Sequence, residues 1–169
     1  MKAYLVLGAT LLAFILAGCG SSSSTSVSTS GTVAGAKSVL VTWIKDVNTG
    51  NPDACLLSTG QGQQAIISLS TLVSSHVSTC AEGVAAIAKA TNQAFPSTKD
   101  MNAYLGAMTQ GVASAQGKVT DNSIILPVTV TFTIEGSSSS SSTDYRLIYQ
   151  NRKWLVDQAN PTDSSISAG

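Results

Sequence analysis

Few side chains in this chain could do chemistry: three cysteines at positions 19, 55 and 80, one histidine, His76, and a sparse set of carboxylates. Cys55, Cys80 and His76 are of the types that ligate zinc, with His76 four residues before Cys80, but the further ligands of a closed site are missing from the neighbourhood. His76 is the one imidazole, so an imidazole base would have to be His76, but a lone histidine at a helix end is more often a surface or capping residue. Asp46 falls on the polar side of its expected helix and Asp53 is accounted for by helix capping, so neither reads as a buried base. Trp43, Tyr104, Tyr145, Tyr149 and Trp154 either line a ligand pocket or serve as core and cross-strand pairs. Arg146, Arg152 and Lys153 form a small basic cluster that could sit near anionic head groups, or, with Asp144 and Asp157 close by, a solvated mixed-charge hairpin. No set of titratable groups converges at a telling spacing, so no catalytic residue is assigned.

The N-terminus carries a different chemistry. Met1-Lys2 gives one positive charge, Tyr4 to Leu16 an apolar stretch, and Ala17-Gly18 the small residues a signal peptidase needs. The quartet Leu16-Ala17-Gly18-Cys19 resembles the lipobox of bacterial lipoproteins. That resemblance implies a diacylglyceryl group on the Cys19 sulfur, cleavage before Cys19, and often acylation of the new amino group, so that two or three acyl chains hold where one would not. An ordinary secretory signal would have no need of the cysteine, and a membrane-spanning helix needs about 20 apolar residues. Gly20 to Gly31 is nearly all Ser, Thr and Gly, a composition that cannot offset backbone entropy and reads as a flexible tether. Export leaves Cys55 and Cys80 as a pair in an oxidising compartment, where a disulfide is expected. Closing a loop of roughly 25 residues would stabilise the fold by about 3 kcal/mol.

Nine basic and nine acidic residues give a formal net charge of zero. Nucleic acid is therefore not an expected partner, because there is no electrostatic footprint for a phosphate backbone. The length beyond the signal suits one domain.

The elements that would position these residues come in two blocks. Val39, Leu40, Trp43, Ile44 and Val47 recur at helical spacing and Gly50 closes the segment. Asn51-Pro52-Asp53 reads as an N-cap, a first-turn proline and an acid facing the helix dipole, starting a short helix through Cys55 that Gly60 and Gly62 interrupt. A third helix puts Ile66, Leu69, Leu72 and Val73 on one side and ends near His76. Thr79-Cys80-Ala81-Glu82 fits a capping box opening a helix with Val84, Ile87 and Ala88 inward, ended by Phe95-Pro96. Met101, Tyr104, Leu105 and Met108 suggest one more short helix before Gly111. The period then switches to two: Ile124, Leu126, Val128, Val130, Phe132 and Ile134, one wholly apolar face, alternate with Ile125, Pro127, Thr129, Thr131, Thr133 and Glu135, with Pro127 pointing to an edge or a bulge. Val112 to Val119 reads as a partner strand, Ser137 to Ser142 as a polar loop, and Thr143 to Gln150 with Lys153 to Gln158 as a hairpin around Asn151-Arg152.

Helices first and an antiparallel sheet afterwards is an α+β order, with helices packed on a sheet of about four strands. The segment Val39 to Leu57, the cysteine in Ser78-Thr79-Cys80-Ala81-Glu82, and the closing hairpin Tyr145 to Val156 together resemble the NTF2-like (SnoaL/ketosteroid-isomerase-like) superfamily, as seen in small lipid-anchored actinobacterial proteins. The resemblance implies a cone whose curved sheet encloses a pocket; it does not imply a reaction. The expected organisation is a lipoprotein signal peptide at 1–18, lipidated Cys19 and tether at 19–32, the domain at 33–160 and a disordered tail at 161–169. The expected function is a non-catalytic binding or accessory domain, lipid-anchored on the extracytoplasmic face of the cell membrane. It needs no metal or cofactor, and its partner is a small apolar ligand or an envelope protein, with a homodimer open. The alternative is a small pocket enzyme of isomerase or hydrolyase type.

Overall fold

The computed structural model describes residues 31–167 except 75, 118, 135 and 136, so the expected signal peptide, Cys19 and nearly all of the expected tether lie outside the described residues. Helix α1 spans Val33–Thr49, started by Thr32, whose hydroxyl accepts from the Gly35 amide at 3.1 Å, and stopped by Gly50 in the left-handed region at φ 81°. Short α2 (Asp53–Leu56) follows, with the Asn51 side chain accepting from the Asp53 amide at 3.1 Å, and then α3 (Gly60–Ser70) and α4 (Cys80–Ala94). Helix α5 (Thr98–Ser114) leads into an open antiparallel sheet of order β1-β2-β3-β4: Val119–Thr120, Ser123–Ile134, Ser137–Gln150 and Lys153–Ser167. The architecture is α+β, as the order of periodicities indicated.

The core lies where α1 meets the sheet. Ala36, Val39, Leu40, Trp43, Ile44 and Val47 bury one face of α1, while Ile124, Leu126, Val128 and Val130 bury one face of β2 and leave Ile125, Pro127, Thr129 and Thr131 outward. Leu147, Trp154 and Val156 complete that layer from β3 and β4. The β3–β4 hairpin turns at Asn151 and Arg152, both at positive φ (51° and 62°), the paired left-handed geometry that suits the right-handed twist of the flanking strands. Pro127 sits in the interior strand β2, yet two-residue β1 pairs only with Ser123 and Ile124, so Pro127 lies beyond the ladder on that side and no hydrogen bond is missed there.

Five expectations need correction. Gly60 and Gly62 do not interrupt a helix but begin α3, because Thr59 caps it by accepting from the Gly62 amide at 3.0 Å. A Cβ on Gly62 would stand 2.2 Å from the Val156 carbonyl oxygen, so the glycine is what lets α3 pack directly on β4. Helix α3 stops at Ser70 rather than near His76. The segment from Val112 is not a partner strand: α5 absorbs it through Ser114, and its Gly111 approaches the Thr129 carbonyl so closely that a Cβ would lie 2.7 Å away. The serine run 137–142 is strand, not loop, pairing with β2 from Ile134↔Ser137 to Thr129↔Ser142. Its hydroxyls hydrogen-bond to Thr129, Thr131 and Thr133 at 2.9 to 3.3 Å, which gives a polar sequence a regular ladder. Strand β4 likewise runs past Gln158 to Ser167, through most of the segment expected as a tail.

Candidate functional site

The helices and the sheet do not close fully on each other. Between them lies an open cleft of about 320 Å³, walled by Trp43, Ile44, Val47 and Asn48 of α1 and by Ile66 and Leu69 of α3. Leu72 and Val73 stand beyond the end of α3, Ile87 comes from α4, Tyr104 and Met108 from α5, and Thr143, Tyr145 and Ala159 from the sheet. Among the described residues, every side chain lining this cleft is uncharged. Leu72 and Val73, expected to face inward with Ile66, are 81 % and 54 % exposed and form an apolar lip at the cleft. The sequence pattern treated them as a continuation of α3, but the helix has already ended.

Each wall is held from outside the cleft. The Trp43 indole N–H donates to Ser58 Oγ at 2.8 Å, and Ser58 Oγ donates to the Ala54 carbonyl at 2.8 Å, which fixes the indole against the α2–α3 connection. Its ring meets Tyr145 edge-on with centroids 6.0 Å apart. Asn48 gives an amide proton to the Ile44 carbonyl at 2.8 Å, while the Thr91 hydroxyl shares its proton between Asn48 Oδ1 and the Ile87 carbonyl, tying α4 to α1. Burial pushes the Tyr145 phenol well above the usual tyrosine range, nearby Tyr104 adds to this, and a hydrogen bond with the Thr143 side chain opposes it. Burial also raises Tyr104. Both phenols stay protonated at neutral pH, so the polar side chains lining the cleft are neutral.

Of the five aromatic residues singled out from sequence, Trp43, Tyr104 and Tyr145 come together at the cleft. Tyr104 is also the wall of a second hollow beside α5 and β2, stacked on Phe95 at 4.5 Å and edge-on to Phe132 at 5.7 Å. Tyr149 and Trp154 instead pack on each other across the β3–β4 hairpin with centroids 5.2 Å apart, and Trp154 is fully buried in the core.

Cys55 and Cys80 form a disulfide with Cα atoms 6.0 Å apart, joining α2 to the first residue of α4, so neither is a thiolate ligand. His76 is exposed in the connection before α4, and among the described residues no group of three or more His, Cys, Asp or Glu side chains could hold a metal ion. Two carboxylates that sequence placed on solvated faces are buried. Asp46 accepts from Asn51 Nδ2 at 3.0 Å and its carbonyl takes the Asn51 amide at 2.9 Å, which organises the α1–α2 turn. Asp157 accepts from the Thr59 hydroxyl at 2.6 Å and lies 3.8 Å from Arg146 Nε, pinning the start of α3 to β4. Neither lines the cleft.

No family model, no curated protein and no solved structure matches this chain. Among the described residues no helix is long and apolar enough to cross a membrane.

Proposed function

We propose that this protein is a lipid-anchored, extracytoplasmic domain of a bacterial cell envelope that binds a small apolar molecule in the cleft between its helices and its sheet. The observation that carries this is the cleft itself: about 320 Å³, uncharged throughout among the described residues, and edged by the exposed Leu72 and Val73. Exposed aliphatic side chains at the rim of an apolar concavity mark a ligand or partner site, because leaving them in water is unfavourable. Asn48, the one carboxamide inside, is already satisfied by the Ile44 carbonyl and the Thr91 hydroxyl and asks nothing of a ligand. Helices laid on one face of an antiparallel sheet with a cleft between them also fit the NTF2-like resemblance.

The anchor follows from the lipobox-like Leu16-Ala17-Gly18-Cys19, with the serine-rich run behind it as the spacer that holds the domain off the bilayer. Two measurements test the two halves. Wild type should fractionate with membranes and carry a lipid mass on Cys19, and Cys19→Ala should lose both; a membrane-bound Cys19→Ala and an unmodified wild-type Cys19 would refute the anchor. Titration with 1-naphthol, a neutral two-ring probe, should shift methyl resonances of Ile66, Leu69, Ile87 and Met108 while sparing Val39 and Val156. Uniform or absent shifts would refute the cleft.

A further inference from the structure

The apolar cleft does not stand alone at its mouth. Val73 lines both it and a third hollow of about 380 Å³, whose other walls are Ser74, Ala86, Lys89, Ala90 and Gln93. The two cavities differ in kind. One is uncharged and mostly aliphatic; the other presents an ammonium, a carboxamide and a hydroxyl. No salt bridge involves Lys89 among the described residues, so its charge is available to a ligand.

We infer that the paired cavities form one bipartite site for a single-chained anionic amphiphile, its aliphatic tail in the cleft and its head beyond Val73 beside Lys89. This deepens the cleft-binding reading and rests on it. Size sets the tail: a dry apolar cavity of about 150 Å³ accommodates benzene, so the cleft holds roughly twice that, one chain of about a dozen carbons and not two. Polarity sets the direction. A charged head in the cleft would be buried among neutral groups with no counter-charge, whereas beside Lys89 it keeps both water and a cation. The hydrogen bonds that Asn48 and Tyr145 already make leave the interior suited to methylenes.

The test uses the full chain held in detergent-free lipid nanodiscs and follows tryptophan fluorescence, since Trp43 lines the cleft and Trp154 does not. Bromine quenches only at close range, so 12-bromododecanoate should quench more strongly at saturation than 2-bromododecanoate. Half-saturation by 12-bromododecanoate should come at a lower concentration than by 12-bromododecanol, by up to about fivefold at low salt, the range of an exposed charge pair. Lys89→Gln, a change on the exposed face of α4, should abolish that difference and leave the alcohol unchanged. Equal quenching by the two bromo-acids, or equal binding of acid and alcohol to wild type, would overturn the assignment. If 1-naphthol shifts the cleft methyls but no brominated chain quenches, this inference falls and the cleft reading stands. If neither binds, both fall.

Discussion

Removing the Cys55–Cys80 bond is the perturbation whose size follows most directly from the structure. The two residues are separated by 25 positions, and closing a loop of that length removes enough entropy from the unfolded chain to stabilise the fold by about 3.5 kcal/mol. A domain of this size has a total stability of about 5 to 15 kcal/mol, so the loss is a large fraction of it. The bond also joins α2 to the start of α4, the helix that contributes Ile87 to the cleft and Lys89 to its neighbour. Urea unfolding of the Cys55→Ala/Cys80→Ala variant, followed by circular dichroism, should give a midpoint lower by roughly 1.5 to 2 M for a urea slope of about 2 kcal/mol/M. Wild type treated with reductant should fall to nearly the same midpoint, and thiol titration of the unreduced, unfolded protein should find neither Cys55 nor Cys80. A variant within about 1 kcal/mol of wild type would show that the cross-link does not constrain the unfolded chain as reasoned. Free thiols at both positions in the oxidised protein would show that the bond is absent.

Other perturbations probe the supports of the cleft. Gly62→Ala should destabilise by about 1 to 3 kcal/mol, because the new methyl meets the Val156 carbonyl rather than a side chain that can move; calorimetry would check it, and an unchanged midpoint would refute the close packing. Thr79→Ala should cost about 1 kcal/mol in the same assay through loss of the α4 N-cap, whereas Thr79→Ser should cost much less. The Glu82 carboxylate is held down to about 2 from its ordinary 4.5, first by the Ser78 backbone amide, then by the Ser78 hydroxyl and by Thr79. A depressed carboxylate contributes stability that is present above its unfolded pKa and is lost as pH falls through its folded pKa. Stability should therefore decline between about pH 4.5 and pH 2. Glu82→Gln should flatten that part of the acid limb; an unaltered limb would contradict it.

How much of this was legible in the sequence depended on whether the signal was local. The capping box at Thr79–Glu82, the apolar stripe of α1, the alternation along β2 and the turn at Asn151-Arg152 each depend on residues close in the chain, and each is present. The disulfide was legible from the expected compartment and a count of two remaining cysteines. Tertiary contact decided the rest. Gly60 and Gly62 look like breakers until the Thr59 cap and, at Gly62, the close Val156 carbonyl are seen, and Val112 looks like strand until Gly111 lets α5 run against β2. Ser137 to Ser142 has no apolar alternation of its own, and it is strand because β2 supplies both the register and the threonines its hydroxyls meet. The cleft was half legible: Trp43, Tyr104 and Tyr145 were singled out as aromatics and Met108 as part of a helical stripe, but Asn48, Thr143 and Ala159 gave no signal of a cleft apart from the positions they occupy in space. Lys89 was equally silent, since a lysine on a helix acquires meaning only from the hollow it lines.

Native mass spectrometry of the full-length protein, released under mild conditions from the membranes of the cell that makes it, tests the central claim most directly. Wild type should carry a non-covalent adduct with the mass of one single-chained molecule. Ala159→Leu, which fills the cleft opposite Tyr145, should lose that adduct or exchange it for one of shorter chain. Wild type without any adduct, or the same adduct at the same occupancy on both proteins, would contradict a ligand in the cleft.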